Sequence, residues 1–363
     1  MSETQTLLTD TAGRVLTDHC TRDSLEAAEA GTWPQALWRA LTDTGLAAAA
    51  ILEARGGADT GWDDLYALAR VSGYHAAPVP LIETWLAERM LAAADLQPIE
   101  GPLTVGPVFR RDIVRLQRHS GHWTVTGEVK RIPWARDAAA IVLTLDADDG
   151  ARTVVVRDAT TIVKASNYAG EPRDTLQLDG HVVPDELVGA ANRGVGRAEL
   201  FFRGALFRTQ QMAGAMERVL ELTVAYAQER VQFGRVIGRF QAVQQQIASL
   251  ASHVASASAA AQGAADANAV GLARFEIAAA KARIGEAVTV VAGVAHQVHA
   301  AMGFTHEHAL HRSTRRLWDW RDEFGTESEW QAWVGQVATQ LGGAALWPYI
   351  VAAKKRDLGP ALP

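Results

Sequence analysis

The sequence predicts an α+β fold that is mostly α: an N-terminal helical domain (1–105), a middle antiparallel β domain (106–190) and a C-terminal four-helix bundle domain (191–363). Two changes of hydrophobic period predict this order. Apolar residues recur at helical spacing at both ends of the chain and form short, strand-like runs between them. The length of 363 residues exceeds what a single core usually fills, which favours more than one domain.

Helical spacing marks the first 105 residues. Trp33, Leu37 and Leu41 share one face of a predicted helix, and a pair of glycines at 56–57 interrupts the pattern. Another helix is predicted from Leu81 to about Ala94, because prolines precede an amphipathic run there.

Residues 106–190 contain short apolar runs separated by turn residues. Ile113–Leu116 and Trp123–Thr126 flank a turn, Ala140–Leu145 predicts a buried strand, and Thr153–Val156 and Leu176–Leu178 predict two more. Many short strands in one block predict a separate antiparallel sheet or a small barrel.

Long helices are predicted again after residue 191. An apolar stripe runs from Met212 to Tyr226, a second helix covers about 240–267, and a third covers about 272–302. Alanine dominates the second and third helices. Small side chains allow helices to approach closely, so an antiparallel bundle is the simplest packing.

The composition excludes several classes of protein. A net charge of −6 gives no general reason to bind nucleic acid. The one cysteine, Cys20, cannot form an intramolecular disulfide. No secretion signal and no uninterrupted apolar stretch of the ~20 residues that span a bilayer are recognisable, so we expect a cytoplasmic protein without a membrane span.

The segment from Arg230 to Gln241 is the most informative one. It ends one predicted helix, turns through glycines and begins the next helix. Taken alone, it is a turn between two helices with a surface arginine, although a guanidinium group also suits phosphate. The segment resembles the R-x-x-F-G-x-x-I-x-x-x-Q pattern of the acyl-CoA dehydrogenase family. This resemblance implies that Arg230, Phe233 and Gln241 contact the FAD of a neighbouring subunit.

A second segment, residues 297–305, resembles the family's Q-x-x-G-G-x-G-Y/F-T pattern. The resemblance implies that Gln297 and Gly303 lie close to the flavin dinucleotide. Glycines permit a close approach of the backbone, but Ala300 and Ala301 replace two of them here. The resemblance covers nearly the whole chain and implies an acyl-CoA dehydrogenase-like fold with the same three-part order.

The sequence departs from the family where the catalytic base is expected. Members of the family remove a proton with a glutamate, which usually lies in a Y-E-G-T segment. Here Phe324 occupies that position, and Gly204 occupies the alternative one on an earlier helix. Glu323 is the candidate base if the loop is shifted; otherwise it belongs to a solvated acidic run with Glu327. Thr326 keeps the family's threonine and is expected to contact the cofactor.

The sheet domain also departs from the family pattern. Residues 103–107 and 130–134 occupy the places of the family's T-E-P-x-x-G-S-D loop and W-I-T/S segment, but the hydroxyl groups and the tryptophan at the expected positions are missing. His306, His308 and His311 suggest a metal, but residues two apart on a helix point to different faces. We therefore expect no metal site.

The resemblance implies an oxidoreductase of lipid metabolism. It implies FAD-dependent α,β-dehydrogenation of an acyl-CoA thioester, with electron-transfer flavoprotein or another acceptor, in a homo- or hetero-oligomer with another subunit of this type. The altered base positions favour a hetero-oligomer, and by analogy we expect bulky, ring-bearing or branched acyl groups. Two alternatives remain: a flavin-dependent monooxygenase or oxidase on the same fold, and a catalytically silent structural subunit.

Overall fold

The computed structural model of the chain describes residues 2–108, 112–119, 121–157, 162–269, 271–352, 358–360 and 362. The first helices in these ranges are α1 (Glu3–His19), α2 (Arg22–Glu29), α3 (Gln35–Asp43), α4 (Trp62–Tyr74) and α5 (Leu81–Ala93). The strands that follow are β1 (Leu103–Gly106), β2 (Val114–His119), β3 (His122–Pro133), β4 (Ala140–Ala147), β5 (Gly150–Val156), β6 (Ile162–Val163) and β7 (Arg173–Val183).

The remaining elements are again mainly helices. They are α6 (Arg197–Glu229), the hairpin strands β8 (Val231–Gln232) and β9 (Arg235–Val236), α7 (Gln241–Asn268), α8 (Arg274–His299), α9 (Leu310–Asp322), α10 (Glu327–Leu341) and α11 (Gly343–Val351). The predicted order of helices, sheet and helices is confirmed. The chain forms two compact units: the first contains Met1–Leu65 and Ala77–Gly204, and the second contains Tyr66–Ala76 and Ala205–Pro363. The three-domain division at 105 and 190 stays a prediction.

The first unit contains two small sheets. Their strand orders are β1-β4-β5 and β2-β3-β7-β6. All pairs are antiparallel except β1 with β4, which run in the same direction and are connected in sequence through the β2–β3 hairpin. Alternating side chains such as Val125, Leu143, Val154 and Leu176 fill the core of this part. The predicted antiparallel β part is therefore confirmed, with one parallel pair.

The second unit contains the core of the helical bundle. The predicted stripe on α6 is buried, including Met212, Met216 and Val219. It packs with small residues from α7 and α8, such as Ala257 and Ala287, and the α7–α8 pair makes extensive contacts. Alanine has almost no side chain to separate two backbones, so these helices pack closely.

One segment is long and apolar enough to cross a membrane. It runs from Arg274 to Phe304, but half of its most apolar window is buried inside the protein. Its Ile284, Val288 and Val291 belong to the core of the bundle, which explains the apolar composition. We interpret it as a core helix, since length and composition alone are weak evidence for a membrane span.

Two glycines allow α4 and α6 to cross closely in the second unit. A Cβ atom added to Gly73 would lie 2.0 Å from the carbonyl oxygen of Gln211, and one added to Gly214 would lie 2.0 Å from that of Arg70. Beside the crossing, Arg70 donates to Glu217, with 3.2 Å between Nε and Oε2. A side chain on either glycine would push the two backbones apart.

Replacing Gly214 with alanine should destabilise the protein. The new methyl group would overlap the backbone of α4, and overpacking of this kind typically costs about 1–3 kcal/mol. The matched control is Gly263→Ala on α7, where nothing lies within 4 Å of an added Cβ. The control should be neutral or stabilising by up to about 1 kcal/mol, because alanine favours helices. Urea denaturation measures both variants, and equal stability would contradict the close crossing.

Candidate active site

A tight hairpin connects α6 to α7. Val231 pairs with Val236 and Gln232 with Arg235, so Phe233 and Gly234 form a two-residue turn. Both residues have positive φ, 50° and 80°. That combination suits the hairpin turns whose twist matches the strands, but it is unusual for a bulky residue. The turn holds the ring outward, and Phe233 is 92% exposed.

The ring lies edge-on to that of Phe240, with 6.1 Å between the centroids, and polar residues lie on the same connection. Arg230 directly follows α6 and is exposed, while its carbonyl oxygen accepts a hydrogen bond of 2.8 Å from the amide of Ile237. Gln241 begins α7 and is also exposed. The N-terminal end of a long helix carries partial positive charge and unpaired amide groups, which suits phosphate. The structure thus places Arg230, Phe233 and Gln241 on one exposed connection, and their contact with FAD stays a prediction.

The segment of residues 297–303 lies at the end of α8. Gln297 is exposed on its last turn, and Ala300 follows the helix with φ 53° and ψ −139°. Glycine adopts this conformation far more readily than alanine. Gly303 is buried, and an added Cβ would lie 2.9 Å from the Cβ of His299. The backbone therefore keeps a glycine-type conformation although Ala300 has replaced a glycine of the family pattern.

Aromatic rings stack behind this segment. His299 stacks on Tyr226 with 4.5 Å between ring centroids, and its other neighbour His308 lies edge-on at 4.5 Å. His296 stacks on Phe304 at 4.4 Å. These contacts fix both histidines by packing, in addition to the 2.8 Å hydrogen bond between Nδ1 of His299 and the backbone oxygen four residues earlier.

Burial favours the neutral form of these three imidazoles by lowering their pKa values. His299 is 1% exposed, and burial lowers its pKa to about 4. Burial also lowers the pKa of His296 and His308, and the nearby positive charge of Arg218 acts in the same direction on His308. Within the part of the chain that the structure describes, no group of three or more His, Cys, Asp or Glu residues is arranged to hold a metal ion.

The predicted base Glu323 lies directly after α9 and is buried. Its Oε2 accepts a hydrogen bond of 2.6 Å from Nε of Arg208, whose side chain is only 2% exposed. Arg208 also donates to Gln211 one turn later on α6. Removing one partner of such a pair leaves a buried charge without compensation, so the pair holds the loop to α6. This geometry favours a structural role for Glu323, and its catalytic role stays a prediction.

Lys281 supports the same loop from α8. Its buried ammonium group donates to the backbone oxygens of Trp320, Arg321 and Gly325, at 3.4 Å for Trp320 and 3.1 Å for Gly325. These carbonyl groups belong to the end of α9 and the loop after it, where a cation is favourable. Burial lowers the pKa of Lys281 to about 7. Three carbonyl acceptors match the three donors of the protonated amine, so the contacts stabilise the charged form.

Phe324 occupies the family's base position. It is 1% exposed with φ 51°, and its carbonyl oxygen accepts a hydrogen bond of 2.9 Å from Nε1 of Trp330. Thr326 begins α10 with a capping box: its hydroxyl donates to the carboxylate of Glu329 at 3.0 Å and accepts from the amide of that residue at 3.4 Å. The hydroxyl is thus already paired within the chain, and a cofactor contact by Thr326 stays a prediction.

Sequence patterns did not reveal Arg208 and Lys281 as parts of this site. A signal was present for Lys281, because it falls on the buried face of α8 together with Ile277 and Ile284. A charge in such a position requires partners. Arg208 similarly lies among buried residues of α6, including Phe207 and Met212.

Comparisons with known proteins agree with this fold. The model of the acyl-CoA dehydrogenase N-terminal domain matches residues 2–94, and that of the acyl-CoA dehydrogenase C-terminal domain matches residues 192–318. The two matches together cover more than half of the chain. The chain therefore belongs to the acyl-CoA dehydrogenase family and is an oxidoreductase that acts on acyl-CoA.

Individual relatives are similar over most of their length. The acyl-CoA dehydrogenase IpdE2 of Mycolicibacterium smegmatis is 28% identical over 323 residues, which are 85% of this chain and 91% of the relative. The ChsE4–ChsE5 complex of Mycobacterium tuberculosis contains a chain with a TM-score of 0.86 and 24% identity; the match covers 94% of this chain and 99% of that one. A variant of the Tcur3481–Tcur3483 steroid ACAD has a TM-score of 0.79 and 25% identity, covering 92% and 97%.

Replacing Ala300 with glycine should stabilise the protein. Glycine adopts this conformation without the strain of about 1–3 kcal/mol that alanine has there. The greater freedom of glycine in the unfolded chain lowers this gain in stability by about 1 kcal/mol. The neighbouring Ala301 is also exposed but has no positive φ, so Ala301→Gly should destabilise by up to about 1 kcal/mol. Thermal unfolding of both variants checks this. A lower melting temperature for Ala300→Gly than for wild type would be evidence against strain at this position.

Stability should fall as the pH decreases from 6.5 to 4. His299 keeps a pKa of about 4 in the folded state, whereas the unfolded chain has the ordinary value of 6.5 and binds more protons in this window. The stability that this difference contributes is present above pH 6.5, amounts to roughly 3 kcal/mol at most, and is lost on acidification to pH 4. Urea denaturation across this range should show a shallower pH dependence for His299→Asn. Parallel curves for the two proteins would exclude His299 as the cause.

Proposed function

We propose that this chain is one subunit type of a heteromeric, FAD-dependent acyl-CoA dehydrogenase and that it shares a flavin site with a partner subunit. The observation that carries the proposal is the turn at Phe233, which holds a 92% exposed ring in a conformation that is unusual for such a residue. Arg230 and Gln241 are exposed on the same connection. A second molecule that covers the turn would explain why an aromatic ring, a guanidinium group and a helix N-terminus are all exposed on one connection.

The chemistry of these residues fits the proposed cofactor. A guanidinium group and the first amides of α7 suit a pyrophosphate, and an exposed ring suits a planar heterocycle. The glycine-type conformation of Ala300 supports a close approach of the backbone between Gln297 and Gly303. The flavin would supply the hydride acceptor, and the protein would supply position and electrostatics. This chain's share is to bind and orient the dinucleotide.

The proton acceptor is proposed to come from the partner subunit. Neither Phe324 nor Gly204 carries a carboxylate, and Phe324 is buried and fixed by Trp330. Glu323 is buried in its pair with Arg208, so its oxygens face a structural partner. A general base needs a free path to the carbon acid, which this arrangement does not favour.

The relatives support a CoA thioester substrate with a ring-bearing acyl group. One similar structure belongs to a steroid ACAD that is described by two protein names, Tcur3481 and Tcur3483. We propose a comparable two-component enzyme, placed in the cytoplasm, that passes its electrons to electron-transfer flavoprotein or to another acceptor. The missing carboxylates also favour a second candidate, a catalytically silent structural subunit of such an enzyme.

The test is to purify the chain alone and together with a second subunit of this family encoded beside it. We expect the pair to hold flavin and to lose flavin absorbance when a CoA thioester with a ring-bearing acyl group is added, whereas the lone chain does not. Phe233→Ser in the pair should weaken flavin binding by up to roughly tenfold, since aromatic contacts contribute about 0.5–1.5 kcal/mol. Tyr168→Ser, at a residue that is 80% exposed, is the matched control and should leave flavin content unchanged.

Several outcomes would contradict the proposal. Flavin and bleaching in the lone chain would exclude the shared site. Loss of bleaching in Glu323→Gln with intact flavin absorbance would place the base in this chain. Absence of flavin from both preparations would leave the silent-subunit candidate, and oxygen consumption without bleaching would indicate a monooxygenase or oxidase.

A further inference from the structure

A cavity of about 680 Å³ lies within the helical part of the first unit. The described residues that line it come from α3, from positions between 47 and 51, from α5 and from the segment 98–101, all of which belong to that unit. Sites for small molecules usually have volumes of about 300–1,000 Å³. The cavity is therefore large enough for a small organic ligand.

Helix α3 presents one of its sides to this cavity. Trp38, Arg39 and Thr42 line the cavity and lie three or four residues apart, which places them on the same side of the helix. The opposite side carries Leu37 and Leu41, both buried in the core. One side of α3 thus belongs to the hydrophobic core and the other to the cavity.

A buried carboxylate lines the cavity from α5. Glu88 is 4% exposed, and among the described lining residues it is the one charged residue that is buried. Its carboxylate accepts a hydrogen bond from the backbone amide of Ile99. Arg55 is close enough for its charge to act on Glu88, but its guanidinium group donates to the backbone oxygen of Leu96 and pairs with Asp95 at 3.2 Å. No described cationic side chain forms an ion pair with Glu88.

The carboxylate of Glu88 therefore has little compensation for its charge. Burial raises its pKa to about 7, although the hydrogen bond from Ile99 and the charge of Arg55 act in the opposite direction. Buried charges in proteins are normally paired with a charge of opposite sign. A cationic group in the cavity would provide this missing partner.

The rest of the lining favours a cation with an apolar body. Asp43 and Glu100 are exposed acidic residues of the lining, whereas Arg39 is the one basic residue among the described ones. Apolar side chains, including Trp38 and Ile51, form much of the remaining wall. The excess of acidic groups also opposes binding of the phosphate groups of a CoA thioester, because like charges repel.

We propose that this cavity binds a primary organic amine whose apolar body carries a ring. The ammonium group lies against the carboxylate of Glu88, since hydrogen bonds between two charged groups are the strong ones. The ring lies against Trp38 and Ile51, where burial of apolar surface adds affinity. The cavity belongs to the first unit and the hairpin at Phe233 to the second, so the proposal does not rest on the flavin site.

Isothermal titration calorimetry of the full chain, without flavin or a partner subunit, tests the proposal. The probe is phenylbutylamine, and phenylbutanol is its uncharged counterpart. Wild type should bind the amine at least roughly tenfold more tightly than the alcohol, because charged hydrogen bonds contribute more than neutral ones. It should bind n-butylamine, which resembles a lysine side chain and has no ring, at least roughly tenfold more weakly than phenylbutylamine.

Glu88→Gln removes the charge and keeps the size of the side chain. It should lower the affinity for phenylbutylamine roughly 10- to 100-fold and change that for phenylbutanol by less than about twofold. The matched control Glu53→Gln removes an exposed carboxylate outside the lining and should leave both affinities unchanged. Circular dichroism verifies that the variants are folded. If Glu88→Gln unfolds, Ala48→Phe replaces it, because a ring at this lining position fills the cavity and should abolish binding of the amine.

Four results would overturn the proposal. No measurable binding of phenylbutylamine to wild type would exclude the site. Equal affinities for the amine and the alcohol would mean that the cavity recognises an uncharged ligand. Equal affinities for phenylbutylamine and n-butylamine would indicate a lysine side chain of another protein as the occupant. An unchanged affinity for the amine in Glu88→Gln, or in Ala48→Phe, would place the amine elsewhere on the chain. None of these results bears on the shared flavin site.

Discussion

The buried ion pair between Arg208 and Glu323 is the interaction on which the loop after α9 depends. It joins α6 to the loop after α9, across a separation of 115 residues. Lys281 adds hydrogen bonds from α8 to the end of α9 and to Gly325. Helices α6, α8 and α9 thus meet at buried charged groups. All the hydrogen bonds of these groups form only in one arrangement of the loop after α9. That loop is the place where the family usually carries its base, and here it holds the buried ring of Phe324.

Positive φ angles occur in the segments that resemble family motifs. Phe233, Ala300 and Phe324 all have φ between 50° and 53°, and each lies in one of the three segments that resemble family motifs. Different supports hold them: a hairpin, the end of a long helix and a hydrogen bond from Trp330. A strained backbone conformation persists only where the surrounding structure enforces it, and such conformations are concentrated at functional sites. The chain thus has positive φ at Phe233, Ala300 and Phe324, while the last of these positions lacks a carboxylate.

The exposed turn at Phe233 combines groups of different chemistry. Its aromatic ring, its guanidinium group and the adjacent helix N-terminus are groups that recognise a charged, planar cofactor. The proposed shared flavin site would account for a chain that exposes these groups while Phe324 and Gly204 occupy the two base positions.

The sequence alone determined the order of helices, sheet and helices, the bundle, and the turn from Arg230 to Gln241, because hydrophobic period and glycine placement act over short distances. It also identified the positions without a base, since they can be counted along the chain. Only the tertiary structure decided that Glu323 pairs with Arg208, that Lys281 caps α9 and that β1 runs parallel to β4. These contacts join residues that are far apart in sequence. The partner of a buried charged group is fixed only by the packing of the helices, which local sequence patterns do not reveal.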